Sequence, residues 1–294
     1  MSGYLITLAT IIAINAIVAC GLNVIVGFAG QISLGHAAFF GIGAYSAALL
    51  ATKAGWTFWA ALPCVIVITA FVGLLLGIPS LRVREDFLAI TTIGINFIVE
   101  AVFNNVEFFG GALGMGGIPR VALLDFKLRG TEFFYLCLAF LIIVIAACWW
   151  LTRCWAGLAC FALREEETAA ASVGISPVRF KLLAFVIGTA MAGLGGALYA
   201  HFMRFISASD FAFPLSVSLL SMVVVGGIGT LWGPVLGAVI IGILPEVFRP
   251  IIDYRILFYT TLLLLMIRFQ PGGLLGENSA ARRVLAKMLP RSKP

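Results

Sequence analysis

The chain has 294 residues, 62% of them apolar or aromatic and only 11% charged, with a mean hydropathy of +1.11. Its 19 basic and 13 acidic residues cannot coat so much apolar surface in water, which excludes a soluble enzyme, a disordered tail and a collagen-like repeat. The net charge of +6 does not point to nucleic acid, because the basic residues lie in short loops and a tail without interleaved base-stacking aromatics.

Crossing a bilayer takes about 20 largely apolar residues in a helix. The sequence predicts an all-α, polytopic transmembrane helical bundle of about 8–10 spans that includes glycine-interrupted helices. In chain order the spans fall at 4–26, 32–52, 58–79, 87–104, 133–152, 181–203, 215–232, 233–248 and 255–269. Glycines break the helical pattern around 27–35 and again around 226–237. Ile17-Val18-Ala19-Cys20 has the form of a lipoprotein cleavage box, but no Lys or Arg precedes it and the apolar run continues, so the first span is expected to stay in the mature protein. The six cysteines sit in or beside apolar runs without paired spacing and read as packing residues.

Basic residues divide the loops into two groups. Arg82, Arg84, Arg153, Arg164, Arg179, Lys181, Arg268, Arg282, Arg283, Lys287, Arg291 and Lys293 fall on one side, and Lys53, Arg120, Lys127, Arg129, Arg204, Arg249 and Arg255 on the other. The larger group is expected to be cytoplasmic, with the N-terminus outside and the C-terminus inside. That assignment makes 105–132 an external loop, 153–180 a cytoplasmic loop and 270–294 a cytoplasmic basic tail. The external loop is glycine-rich over Gly110 to Pro119, either a plain connector or a docking surface.

Polar residues inside spans mark candidate function. Thr92, Asn96, Glu100 and Asn104 recur every fourth residue and form a slowly spiralling stripe, read as pathway lining or as interhelical hydrogen bonding. Asn23, Ser33 and His36 raise the same alternatives beside the first break. Val26-Gly27-Phe28-Ala29-Gly30 and Val225-Gly226-Gly227-Ile228-Gly229 share a Val-Gly-x-x-Gly pattern. Paired broken segments point to a transport site, the alternative being close packing or a tight turn. Gly188, Ala192, Gly196 and Ala200, and Gly233 with Gly237, form small-residue ridges that serve either this subunit or a partner.

Between spans five and six, AGLACFALREEETAAASV over 156–173 is rich in helix formers and stops at Gly174, with Pro177 beyond. It reads as a short amphipathic helix, either a solvated connector or a lever that a cytoplasmic partner grips.

Several blocks carry a family resemblance: GLNVIVGFAGQISLGHAAF at 21–39, Gly43-Ala44-Tyr45, Leu81-Arg82, Phe87 to Thr92, Ala162 to Glu165, Ala169-Ala170, Gly174-Ile175, Lys181 to Phe185, GLGGALYA at 193–200 and GGIGTLWGP at 226–234. Through these the chain resembles the permease subunits of the high-affinity branched-chain amino-acid ABC importers, in particular the LivM-type half of the permease pair. The resemblance implies a single transmembrane permease domain over 1–294, multi-pass in the bacterial plasma (inner) membrane. It implies a coupling helix at 158–175 contacting an ATPase through Leu158, Leu163, Arg164, Glu165, Glu167, Ala169, Ala170 and Gly174. The wider importer pattern is Glu-Ala-Ala, three residues, then Gly; here Thr168 stands in place of the glutamate, and Glu167 lies one position earlier, about 100° around the helix. Translocation-pathway candidates are Asn23, Ser33, His36, Thr92, Asn96 and Glu100.

The partners implied are a LivH-type sister permease, two cytoplasmic ATPase subunits, a periplasmic or extracellular solute-binding protein and membrane lipid. No glycine precedes any of the five lysines, so the Gly-Lys of a phosphate loop is missing. The chain is therefore expected to bind no cofactor itself, with ATP and Mg used by the partner subunits. With two histidines, no HExxH and no Gly-x-Ser-x-Gly, it is not expected to be an enzyme. The expected cargo is leucine, isoleucine or valine; the alternatives are another amino acid, an amide or urea carried by a permease of this kind, or ion-coupled secondary transport.

Overall fold

In the computed structural model, residues 3–81, 85–123, 126–247 and 273–275 are described, with residues 261, 264 and 268 besides. The predicted span at 255–269 lies essentially outside the described residues, as do Arg82, Arg84 and most of the 270–294 tail.

The architecture is helical. Helix α1 runs Gly3–Asn23 and passes into a wide π turn, Val24–Phe28, before α2, His36–Thr52. Then come α3, Phe58–Leu81, and α4, Glu85–Asn105. After a long loop, α5 spans Thr131–Arg153, followed by two short helices, α6 at Trp155–Glu165 and α7 at Glu167–Ser172. The series ends with α8, Pro177–Met203, α9, Phe213–Gly226, and α10, Gly233–Val247. Six helical segments are long and apolar enough to cross a membrane, with His36–Thr52 and Gly233–Leu244 shorter apolar helices among the described residues. Within the described residues the predicted spans are recovered as helices, except that the one expected from 32 starts at His36 and the one expected over 215–232 stops at Gly226, where the chain leaves the helix at Gly227, φ +131°.

Helix α8 is the central post and packs against α1, α2 and α3. Its small-residue ridge explains why: a Cβ on Gly188 would strike the Gly21 carbonyl and Ile25, and one on Gly196 would strike the backbone of Phe40 and Ala44. The ridge therefore works inside this subunit, as does Gly237, whose missing side chain lets α10 lie against the Met222 carbonyl of α9. Outward faces stay apolar: Val67, Phe71 and Leu75 on α3, Ile90, Phe97 and Ile98 on α4, and Ile142 and Trp150 on α5 are all exposed. In water that would be costly; against lipid or another apolar subunit it is not.

The two ends of the bundle differ. At one end the 105–132 loop forms short turns, and β1, Met115–Gly116, pairs antiparallel with β4, Phe205–Ile206, just after α8. Within the same loop β2, Ala122–Leu123, pairs with β3, Phe126–Lys127. Lys53 at the end of α2 donates to the Phe108 carbonyl and sits over its ring. At the opposite end lie α6, α7 and both glycine breaks. Lys53, Arg120, Lys127 and Arg204 thus share one end, and Arg153, Arg164, Arg179 and Lys181 the other, the division expected from the loops.

Candidate functional site

Asn23, Gly27, Arg164, Gly229 and Thr230 meet at the second of these ends, although the two breaks are separated by about two hundred residues of chain. The run Val24-Ile25-Val26 crowds an α-helix, and Gly27 and Gly30 let it loosen into the wide turn; Ala29 N–H bonds Val24 O at 3.3 Å and Gln31 N–H bonds Ile25 O at 3.1 Å. Gly30, at φ +70°, turns the chain toward α2. The second break does the same with Gly227 and Gly229, and Thr230 starts α10 by accepting the Gly233 N–H at 3.1 Å while donating to Gly227 O at 2.8 Å.

Asn23 joins the breaks. Its Oδ1 accepts the Gly229 N–H at 2.8 Å and its Nδ2 donates to the Thr230 carbonyl at 3.0 Å. Gly27 is obligatory here, since a Cβ would fall on Asn23 Oδ1 and the Gly229 backbone. Arg164, at the end of α6, donates from Nη1 to the Gly27 carbonyl at 2.5 Å, and it lies against Gly30 and Gly229, leaving no room for a Cβ at Gly229. Phe28 and Phe161 pack with ring centroids 5.0 Å apart, a second bolt between the first break and α6. A third segment, unforeseen from sequence, reaches the same place: Leu274 N–H bonds Val225 O at 2.9 Å and Leu275 N–H bonds Gly226 O at 3.0 Å, satisfying the last carbonyls of α9. Of the two readings of the glycines, close packing and turning is therefore what this conformation uses; the backbone groups at Gly27 and Gly229 are engaged by protein.

The single helix expected over 156–173 is two. Glu166 is extended, φ −156° and ψ 107°, between α6 and α7. The break puts Glu167 in the first turn of α7, where the helix dipole favours it. Glu167 is held by Lys181 of α8 at 2.6 Å, and Thr168 donates to Glu166 at 2.6 Å. The implied coupling residues divide accordingly. Leu163 and Ala170 are buried against the bundle, Leu158, Glu165, Ala169 and Gly174 are exposed, and Arg164 reaches inward. Gly174 closes α7 at φ +90° with open space where a side chain would be, so its need for glycine is conformational. Between α6–α7 and the first break lies a cleft of about 260 Å³ lined by Ala29, Gly30 and residues 163–167. Cys160 on α6 is buried, and burial, with Cys154 nearby, pushes its thiol up to about 11; all six cysteines are free.

The polar stripe on α4 splits into two halves. Thr92 accepts the Leu34 N–H at 3.0 Å, and Asn96 donates to Phe211 O at 3.3 Å while accepting from Ser216 at 3.1 Å. Ser216 in turn accepts the Ala37 N–H at the start of α2 at 3.0 Å, so this half of the stripe is interhelical bonding. Glu100 is half-buried and Asn104 exposed, and Glu100 has no hydrogen bond or ion pair among the described residues. Gln31, Ser33 and His36 are 3%, 1% and 0% exposed; the side-chain polar atoms of Gln31 and Ser33 have no hydrogen-bond partner among the described protein groups, while the His36 ring lies against the Val18 backbone. Sequence reading found Ser33 and His36 and missed Gln31, although it stands in the same run of small and polar residues around the break; nothing local marked Ser216.

Fold and site together place the chain among the multi-pass membrane permeases. It belongs to the family described as the permease component of the branched-chain amino acid transport system, whose model matches residues 4–269. It is 38% identical to the high-affinity branched-chain amino acid transport system permease protein LivM of Salmonella typhimurium and 37% identical to LivM of Escherichia coli, in each case over 92% of this chain and 69% of the relative. It is 24% identical to the permease protein LivH of Escherichia coli, over 89% of this chain and 91% of that one. No solved structure shows a significant match.

Proposed function

We propose that this chain is a permease subunit of an ATP-driven ABC importer for branched-chain amino acids, forming half of the translocation pathway beside a LivH-type sister permease. Two cytoplasmic ATPases supply ATP and Mg chemistry, a solute-binding protein delivers the cargo from outside, and the chain itself carries no catalytic residue. It sits in the bacterial inner membrane with α6–α7 and the C-terminus in the cytoplasm. The observation that carries this reading is the bond from Arg164, in the loop facing a cytoplasmic partner, to the backbone where two broken helices meet.

In this mechanism α6 and α7 present Leu158, Glu165, Ala169 and Gly174 to an ATPase, while Leu163, Ala170 and the Lys181–Glu167 pair fix the loop to the bundle. ATP binding draws the ATPases together, α6–α7 follow, and the subunit pair rocks between inward- and outward-facing states. Gln31 and Ser33, buried polar groups without a protein partner, and the neighbouring His36 are the groups best suited to meet a zwitterion. The test is uptake of leucine into vesicles containing the ATPases, sister permease and binding protein, with and without this chain. ATP-dependent uptake should vanish without it; uptake that persists undiminished rejects the reading. Uptake abolished by a protonophore but indifferent to ATP would favour the ion-coupled alternative.

A further inference from the structure

The guanidinium of Arg164 brings three things to one point: the exposed loop that ends α6, the carbonyl of Gly27 in the first break, and Gly229 in the second. Asn23 ties the same two breaks directly, so Arg164 and Asn23 together hold the breaks shut at the α6 end. The contact is not that of a buried structural arginine. Its residue is exposed overall, a cleft of about 260 Å³ lies beside it, and Glu165, Glu166 and Glu167 line that cleft within the same few residues. Arginine offers five N–H donors, and among the described residues Arg164 makes one hydrogen bond and no ion pair. The side chain therefore has a present partner, Gly27 O, and open space beside it into which it can move when α6 is displaced. An element with two available arrangements is what a transmitted displacement requires.

We propose that Arg164 is a clasp: it holds the two helix breaks together at the inner end of this subunit's pathway and must leave the Gly27 carbonyl each time α6–α7 is displaced, which is how partner motion becomes pathway opening. This rests on the importer reading given above and adds to it a residue that acts by position. The first break, held by Phe28 against Phe161 and by Gly27 against Arg164, moves as one piece with α6 until the clasp releases.

Two experiments on the complete importer in vesicles test it. In the first, leucine taken up per ATP hydrolysed is compared for wild type, R164A and R164K, with ATPase co-purification measured in parallel. R164A is expected to retain the ATPases and to lower uptake per ATP by tenfold or more, and R164K, keeping one donor for Gly27 O, to recover to within about threefold of wild type; uptake per ATP equal to wild type in R164A overturns the clasp. The second covers failure of R164A to fold: F28C and F161C are joined by a short thiol crosslinker in the assembled protein. Crosslinking is expected to cut uptake at least tenfold, reversibly on cleavage of a cleavable linker, and full-rate uptake with the link in place overturns the proposal. A wild-type complex that transports without ATP would overturn the importer reading and the clasp with it, whereas the other two adverse outcomes leave the importer reading standing.

Discussion

Two groups of polar side chains are buried around the first break, and the fold treats them differently. Asn23, Thr92, Asn96 and Ser216 each have partners on another element, and their bonds stitch the breaks to each other, α4 to the break loop, and α9 to the first turn of α2. Gln31 and Ser33 are buried as deeply, and their side chains have no hydrogen-bond partner among the described residues. Leaving a buried polar group without any partner costs about 1–3 kcal/mol, so Gln31 and Ser33 are placed to bond with water or a passing solute rather than with the bundle. The difference separates mortar from candidate binding groups, which identity and spacing in the sequence leave mixed.

That separation can be broken by mutation, and the largest effect falls on the mortar. Gly27→Ala drives a methyl group into Asn23 Oδ1 and Gly229, and stability is expected to drop by about 2–3 kcal/mol, read as a lower melting temperature in detergent and less protein in the membrane. Asn96→Leu strands Ser216 and the Phe211 carbonyl, for a loss of about 1–3 kcal/mol, with uptake per folded molecule nearly preserved. Gln31→Leu and Ser33→Ala should do the reverse: melting temperature is unchanged or raised, by up to about 1 kcal/mol of stability, while leucine uptake per folded molecule falls. If both groups lose stability and uptake in proportion, the distinction fails. Gly174→Leu is expected to cost about 1–2 kcal/mol, for a left-handed backbone with no steric clash, and to weaken ATPase co-purification more than it lowers the amount of protein.

Much of this was legible in the chain. Apolar runs located the helices, the repeated Val-Gly-x-x-Gly located both breaks, and the basic residues divided the loops as the two ends of the bundle do. What stayed hidden is pairing across distance. Asn23 meets Gly229 across 206 positions and Asn96 meets Ser216 across 120, and no local pattern encodes which polar residue finds a partner. The kink at Glu166 was missed because its neighbours are all helix formers; the tertiary partners on either side of it, Gly27 for Arg164 and Lys181 for Glu167, lie beyond what local propensity encodes. Gln31 lay within the block that carries the family resemblance, and its burial is a tertiary outcome that no local pattern encodes.

The central claim is that α6–α7 is an inward-facing lever joined to the pathway by Arg164, so its sidedness is the direct test. A single cysteine at Ala169, exposed on α7, is reacted with a membrane-impermeant thiol reagent in sealed vesicles of known orientation. The account predicts labelling only from the cytoplasmic face, with protection when the ATPases are bound. Labelling from the external face of intact cells would contradict it.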